Sequence, residues 1–512
     1  MSPSAAARSG ALVLFTRDLR VRDHAALSAA IREHDVVLPA FVLDRDILAG
    51  SCAAPNRLSF LLESLEDLDR SLAERGARLV IRQGDVVEQA MRLAREFDLS
   101  AIHMSDDVTP YARRRRRGLE AACREQRIEL RAHPGVTIVP AGEIKPSGGE
   151  HYRVFTPYWR SWSALPTRPS SPTPARIDTP SIPPAGRVPK LASLTSASTS
   201  PALQPGGESE ARAQLKRGLA RGAARYGEDR DELAGEGSSR LSAYLHFGCL
   251  APRGVLERSR QHTSGESFAR QLCWRDFHHQ VLAARPDLPR ADYRPRGDRW
   301  SRDERSTTAW REGRTGYPIV DAGMRQLLAE GFMHNRARLI VGSFLTKTLY
   351  IDWRIGAAHF AGLLLDADVA SNVGNWQWVA GTGNDTRPNR ILNPIRQAKR
   401  FDPHGDYVRR YVPELAGVTG AAVHEPWRLP ATRRRSTTPS GFSIIRRRPP
   451  SFAPDARARR AGRGHRGARF RAWSATSSSV GRPSGSGSCS SSPASSTAAA
   501  RSSRCSRSSR RW

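Results

Sequence analysis

Cysteine is sparse in this 512-residue chain, and what there is of it is scattered. Cys52, Cys123, Cys249, Cys273, Cys489 and Cys505 never come at CxxC spacing. That argues against a disulfide framework or a cysteine-rich zinc site, and makes a reducing cytoplasm the expected compartment. No segment approaches the roughly 20 apolar residues of a membrane span. The N-terminus lacks an apolar run of secretion-signal length. No GxGxxG follows the first apolar run, so the usual dinucleotide fingerprint is missing. Acidic residues are also short: 50 Asp and Glu face 81 Lys and Arg, a formal charge of +31. Such an excess favours a polyanionic partner, most simply nucleic acid. It is uneven, because residues 431–512 hold 19 Arg and one Asp.

What is present falls into four stretches. Residues 1–140 alternate apolar strands with amphipathic helices. "ALVLFTRDLR", "HDVVLPAFVLD", "ARLVIRQG" and "AIHM" read as buried strands. "RLSFLLESLEDLDRSLAERG" is a helix closed by Gly76, and Asp85 with Glu88 has the pattern of a capping box. This alternation predicts a doubly wound parallel sheet with helices on both faces. Residues 141–206 end in a Pro, Ser and Thr-rich run and read as an interdomain linker. Residues 207–430 turn helical and hold seven of the eleven tryptophans between positions 274 and 427. Residues 431–512 have too little apolar content to fold and read as a disordered basic tail. The tail suits nucleic-acid binding, but its Arg, Ser, Ala and Pro bias equally suits out-of-frame translation of a GC-rich gene.

Several short stretches carry candidate chemistry. Ser238, Ser239 and Ser242 sit where a helix begins, a place for a phosphate or for ordinary capping. Gln271, Trp274, Arg275 and His278 recur at three and four, so they share one helix face. That face could clamp a planar ring, or could be a solvated face around one buried indole. Asp366 and Asp368 lack a third ligand for a metal. They suit ligand hydrogen bonds or ion pairs with Arg338 and Arg230. "ASNVGNWQWVAGTG" places Trp376 and Trp378 among amides and small residues, unusual company for core tryptophans.

Taken in order, "FTRDLRVRDHAAL", "YRVFTPYWRSW", "GSSRLSAYLHFGCLAPR", "QLCWRDF", "GFMHNRARLI" and "LLDADVASNVGNWQWVAGTGNDTRPNRILNP" resemble the photolyase/cryptochrome family. The match is nearest to bacterial enzymes that repair cyclobutane pyrimidine dimers, and covers roughly residues 10–430. The family's usual short acidic and aliphatic ending is absent, which favours the out-of-frame reading of the tail. The resemblance implies an α/β antenna domain and a helical domain holding FAD. By resemblance, Tyr226, Ser238, Ser239, Arg240, Leu241 and Ser242 hold the FAD phosphates and backbone region. Asp366, Ala367 and Asp368 meet its flavin and ribose portion, with Asn335, Arg338 and Arg275 lining the pocket. Asn372 faces the flavin as a neutral amide, where signalling cryptochromes tend to carry an acid or a cysteine. Trp376, Trp353 and Trp300 match an electron-transfer chain running to the surface. Trp274 and Trp378 would flank a flipped dimer. Arg230, Arg336, Arg390, Gln397 and Lys399 would meet phosphates of UV-damaged DNA, and Gln271 and Asn335 the lesion.

Gln271 departs from the glutamate of many dimer photolyases and matches the glutamine of the family's (6-4) branch. Phe332 replaces a usual tryptophan. An antenna chromophore, deazaflavin or folate, is implied, with Arg57 and Asp107 in its pocket. The resulting expectation is a monomeric, metal-free, light-driven DNA repair lyase, with a cryptochrome-type photoreceptor as the alternative.

Overall fold

The computed structural model describes residues 9–50, 53–181, 187–222, 231–235, 237–262 and 265–429. All lie in the unit Met1–Pro450; the expected tail at 431–512 falls outside them, as do Tyr226 and Arg230.

Five strands form one sheet: β1 (Gly10–Phe15), β2 (Val36–Asp44), β3 (Val80–Gly84), β4 (Ala101–Ser105) and β5 (Glu129–His133). They run parallel throughout in the order β3-β2-β1-β4-β5. Every residue of β1 and β4 is buried, as expected for strands covered on both faces. The covering helices are α1 (Ala25–Glu33), α2 (Arg45–Leu48), α3 (Pro55–Ala73), α4 (Val86–Glu96) and α5 (Pro110–Gln126). Asp85 caps α4 as expected, accepting from the amides of Val87 and Glu88 at 2.9 Å each. The strand β5 was not among the strands expected from the sequence, although its residues alternate polar and apolar. Its "ELRAH" is half-buried and charged, the character of an edge strand protected from mispairing.

The rest is helical: α6 (Phe155–Ala164), α7 (Glu208–Gly222), α8 (Ser242–Phe247), α9 (Pro252–Arg260), α10 (Gly265–Ala284) and α11 (Glu304–Arg311). There follow α12 (Pro318–Glu330), α13 (Asn335–Ser343), α14 (Trp353–Leu363), α15 (Val369–Ala380), α16 (Pro394–Phe401) and α17 (Asp406–Tyr411). The fold is α/β plus all-α. Within the 141–206 stretch, α6 buries Phe155, Tyr158 and Trp162 and is tied to α10 by Trp162 Nε1 donating to Asp276 at 3.0 Å.

The two regions meet where the strand order reverses. A doubly wound sheet offers a ligand crevice beyond the carboxyl ends of its strands at that point, here between β1 and β4. In this molecule helical residues fill it. Leu19 N–H donates to Phe247 O at 3.2 Å, and Arg20 donates to Gly248 O at 2.8 Å. Gly248 has φ of 72°, and a Cβ there would lie 2.0 Å from Arg17 O. Only glycine permits both that backbone and that approach.

Candidate functional site

Charge is concentrated at this junction. Arg17, just past β1, donates to Asp107 past β4 at 3.1 Å and to Asp368, the N-cap of α15, at 2.5 Å. Its guanidinium also lies 3.3 Å from His246 Nδ1. His279 Nε2 stands 3.4 Å from the same Asp368 oxygen. Burial works against every charge here. Burial alone would raise Asp368, yet His279, Arg17 and Arg275 hold it well below the usual carboxylate range. Burial likewise opposes the Arg17 charge, but Asp107 and Asp368 outweigh it and hold the group above its usual range. His278 is pushed down to about 4, chiefly by burial, so it is a neutral ring at pH 7. It packs on α15 at Gly374, where a Cβ would sit 2.3 Å from His278 Nδ1.

The adjoining carboxylate, Asp366, takes a two-pronged ion pair from Arg338 at 2.9 and 3.0 Å. Ala367 lies half-buried between the two aspartates. Asn372, in the second turn of α15, donates its amide to Ala357 O at 3.0 Å. That fixes the side chain and leaves its carbonyl oxygen without a hydrogen-bond partner among the described residues. Asn372 and Trp376 are one turn apart, so a neutral amide and an indole share one face of α15.

The serine loop sits ahead of α8 as expected. Leu241 is the N-cap and supplies no side-chain acceptor, so the first amides of the helix lack a side-chain cap. Ser238 and Ser239 are half-buried and Ser242 is exposed. Arg240 takes a left-handed backbone (φ 52°) and pairs with Glu330, its guanidinium 4.6 Å from the Phe332 ring. Gln214 and Gln204 donate to the carbonyls of Ser239 and Arg240, which turns the loop's acceptors toward the protein. Hydroxyls and uncapped amides that donate, two arginine-balanced carboxylates that accept and one fixed amide form a polar set that fits a flavin dinucleotide.

The face expected on α10 is divided. Trp274 is half-buried and stacks on Phe155 at 3.7 Å with 1° between the planes. Gln271 is half-buried on the turn before it. Arg275 turns away, donating to Val136 O at 2.5 Å and Leu245 O at 3.3 Å. Asn335 is exposed at the start of α13.

Of the three tryptophans expected in a relay, two are buried and one is partly exposed. Trp376 is buried, edge-on to Phe360 at 4.9 Å and to Trp310 at 6.1 Å. It packs on Gly356, where a Cβ would meet its ring at 2.2 Å. Trp353, one turn before Gly356, is fully buried and donates its indole N–H to Asp292 at 2.9 Å. Trp300 is partly exposed, 5.0 Å from Tyr350, and is held there by Ser301 N–H donating to Tyr350 O at 2.7 Å.

Of the residues expected to meet phosphates, Arg390 is exposed and lies 5.4 Å over the Trp378 ring. Gln397 is half-buried on α16. Arg336 is paired with Asp231 at 2.7 Å and lies over Phe401, and Lys399 is paired with Glu425 at 2.5 Å. The two residues expected at an antenna are committed to the domain junction. Asp107 holds Arg17, and Arg57 donates to Ala361 O at 2.5 Å and Leu364 O at 2.9 Å.

Sequence reasoning gave no role to Arg17, His279, Asp292 or Phe155. Arg17 carried a signal, since a charge directly after a fully buried strand needs a partner. The others depend on long-range contacts that spacing does not encode.

Family models described as DNA photolyase and as FAD binding domain of DNA photolyase match residues 11–177 and 268–449. The chain is 48% identical over 425 residues to the deoxyribodipyrimidine photo-lyase of Streptomyces griseus, covering 82% of this chain and 93% of the relative. Among solved structures, a bacterial class III photolyase from Agrobacterium tumefaciens aligns with a TM-score of 0.79 at 33% identity, covering 90% and 97% of the two chains. An archaeal photolyase from Sulfolobus tokodaii, described with two FAD molecules, aligns with a TM-score of 0.75 at 31% identity, covering 85% and 96%.

Proposed function

This chain belongs to the DNA photolyase family and carries out light-driven DNA repair, and from that premise we propose which of its residues do the work. It is a flavoprotein lyase acting on UV-damaged DNA. FAD, when bound, supplies the light absorption and the electron for splitting a pyrimidine dimer into two pyrimidines.

Asp368, balanced by Arg17 and His279, and Asp366, balanced by Arg338, present hydrogen-bond acceptors of fixed position to the cofactor. Asn372 offers it a neutral amide, which adds no like charge beside an anion. Ser238, Ser239, Ser242 and the uncapped amides of α8 take its phosphates, together with Tyr226 and Arg240. Arg275 acts from behind, holding the 136–139 segment and α8 in place. Trp274 and Trp378 provide flat apolar faces for a flipped lesion, with Gln271 and Asn335 at its polar edges. Arg390, Arg336, Arg230 and Gln397 meet DNA phosphates, supplying affinity without sequence preference. Trp376, Trp353 and Trp300 relay an electron inward from the surface.

One observation carries this reading above the others. Asn372 and Trp376 share a face of α15, next to two aspartates whose charges are already matched. A neutral polar contact, an oxidisable ring and a pre-neutralised anion site are thus gathered on one element. The cyclobutane dimer is the lesion we propose, and the cytoplasm, where the chromosome lies, the compartment. A second chromophore in the α/β region, a deazaflavin or a folate, completes the proposal. Its assignment to Arg57 and Asp107 rests on sequence resemblance.

Blue-light repair of a dimer-containing oligonucleotide by the purified, reduced protein tests the reading, with an absorption spectrum of the same sample. Repair with a flavin spectrum is expected. Flavin without repair of the cyclobutane dimer would replace this lesion assignment with a different lesion or with a cryptochrome-type photoreceptor.

A further inference from the structure

A cluster of histidines in the α/β region shares no residue with the site above. His34 follows α1, His103 lies in the middle of β4 and His133 ends β5. His34 and His103 meet edge to face, with ring centroids 5.4 Å apart and planes at 87°. Their Nε2 atoms point at one another across 3.4 Å. That is long for a hydrogen bond. It matches the edge of a tetrahedron around a metal with metal–nitrogen bonds of about 2.0–2.1 Å, which is about 3.3–3.4 Å. One ligand atom each from Glu33, His34 and His103 all lie within 4.8 Å of one another.

We propose that Glu33, His34 and His103 form a binding site for a borderline divalent transition metal of the zinc class. Two further contacts point to a ligand. First, the second nitrogen of His103 is already engaged: His103 Nδ1 and His133 Nε2 are 3.0 Å apart, with their rings nearly parallel at 9°. A proton on His103 Nδ1, donated to His133, directs the His103 Nε2 lone pair toward His34. Metal-binding histidines are oriented in this way by a partner on the far nitrogen. Second, among the described residues the one hydrogen-bonding approach to the His34 ring is that of His103 Nε2 to its Nε2, its Nδ1 being buried without a partner. An ion between the two Nε2 atoms would satisfy that nitrogen-to-nitrogen approach, with the His34 proton left on Nδ1.

Glu33 also holds Arg131 and, at 2.5 Å, Arg32. A carboxylate has about four lone-pair positions. Arg131 can therefore remain its outer partner while the other positions serve the ion, as ligating carboxylates are commonly hydrogen-bonded in turn. Two imidazoles and a carboxylate with no thiolate favour Zn2+, Co2+, Ni2+ or Cu2+ over Mg2+ and Ca2+. Three protein ligands leave a fourth position for water. The ion would fasten the C-terminal end of α1 to β4.

The test uses tag-free, FAD-loaded full-length protein, freed of metal with a chelator and titrated with Co2+. One saturable equivalent is expected, with the intense visible bands of tetrahedral Co2+, and Zn2+ should displace it. Zn2+ should also raise the thermal midpoint of the wild type. H34A and E33Q should each weaken binding at least tenfold while flavin content and far-UV circular dichroism stay unchanged. H103N, at the buried ligand, should abolish it. Absence of a saturable site in the wild type would overturn the proposal. So would Co2+ affinity that is unchanged in H34A and in H103N.

Discussion

The α/β and helical regions match their charges differently, although both bury some of them: Asp18, Arg20, His24 and His103 lie inside the first. In the α/β region most ion pairs are on the surface: Arg78 with Asp69, Arg116 with Glu120, Arg131 with Glu129. Exposed pairs of this kind contribute little, because solvent screens them. The helical region buries charged and titratable groups: Asp276, His278, His279, Asp321 and Asp368 are nearly inaccessible. Lys347 is also inside, donating to the carbonyls of Ala380 at 2.5 Å and Pro388 at 3.0 Å beyond the end of α15. Burial of this sort is costly unless each group is matched. Asp276, Asp321 and Lys347 are matched by Trp162, by Thr315 and by backbone carbonyls within the protein, whereas Asp368 is matched by charges at the junction of the two regions.

Four experiments sharpen that contrast. The largest effect is expected from Asp368→Ala, which removes the carboxylate facing Arg17, Arg275 and His279. Breaking a buried pair costs roughly 3–5 kcal/mol. Urea denaturation should show a loss of that order, and the purified protein should carry little flavin by its absorbance ratio. Full flavin content with an unchanged midpoint would refute the role given to the junction. Next is Trp376→Phe, which should slow photoreduction of oxidised flavin at least tenfold while pre-reduced protein still repairs. Unimpaired photoreduction by flash absorption would remove Trp376 from the relay. Third, Trp274→Ala should weaken binding of dimer-containing DNA by about 1–3 kcal/mol in a titration. Bound flavin should remain. Because Phe155 lies flat on Trp274, Phe155→Ala should reproduce part of the loss.

The last experiment concerns a buried carboxylate of the α/β region. Asp18 is fully buried. Burial alone would raise its pKa, but His24 at 3.0 Å, Ser105 and the Thr16 amide hold it down to about 2 from 3.8. A folded-state pKa below the unfolded one means stability that is present above pH 3.8 and lost as pH falls toward 2. The contribution is roughly 2 kcal/mol. The wild type should lose it between pH 4 and 2 in acid-titrated melts, and Asp18→Asn should lack that slope. An Asp18→Asn protein with the same acid slope would show that the carboxylate titrates normally.

The sequence by itself determined the layered architecture. Unbroken apolar strands such as "ALVLF" must be covered on both faces, and only a parallel sheet between helices does so. Local signals such as the Asp85 cap were equally legible, because cap and capped amides are three residues apart. The order of chemistry along the helical region could also be read, since one helix carries Asn372 and Trp376. β5 was not among the expected strands: its "ELRAH" alternates polar and apolar, but over only five residues directly after a long helical run. Nor did the sequence reveal the partners of the expected residues. Spacing put Gln271, Trp274, Arg275 and His278 on one face. The tertiary structure sent Arg275 to backbone carbonyls and stacked Trp274 on Phe155. Arg17 and Asp368 are 351 positions apart, and His34 and His103 are 69 apart. Such contacts arise only when separate elements are packed together, because local propensity and periodicity act over a few residues. Burial then fixes which charges must find each other.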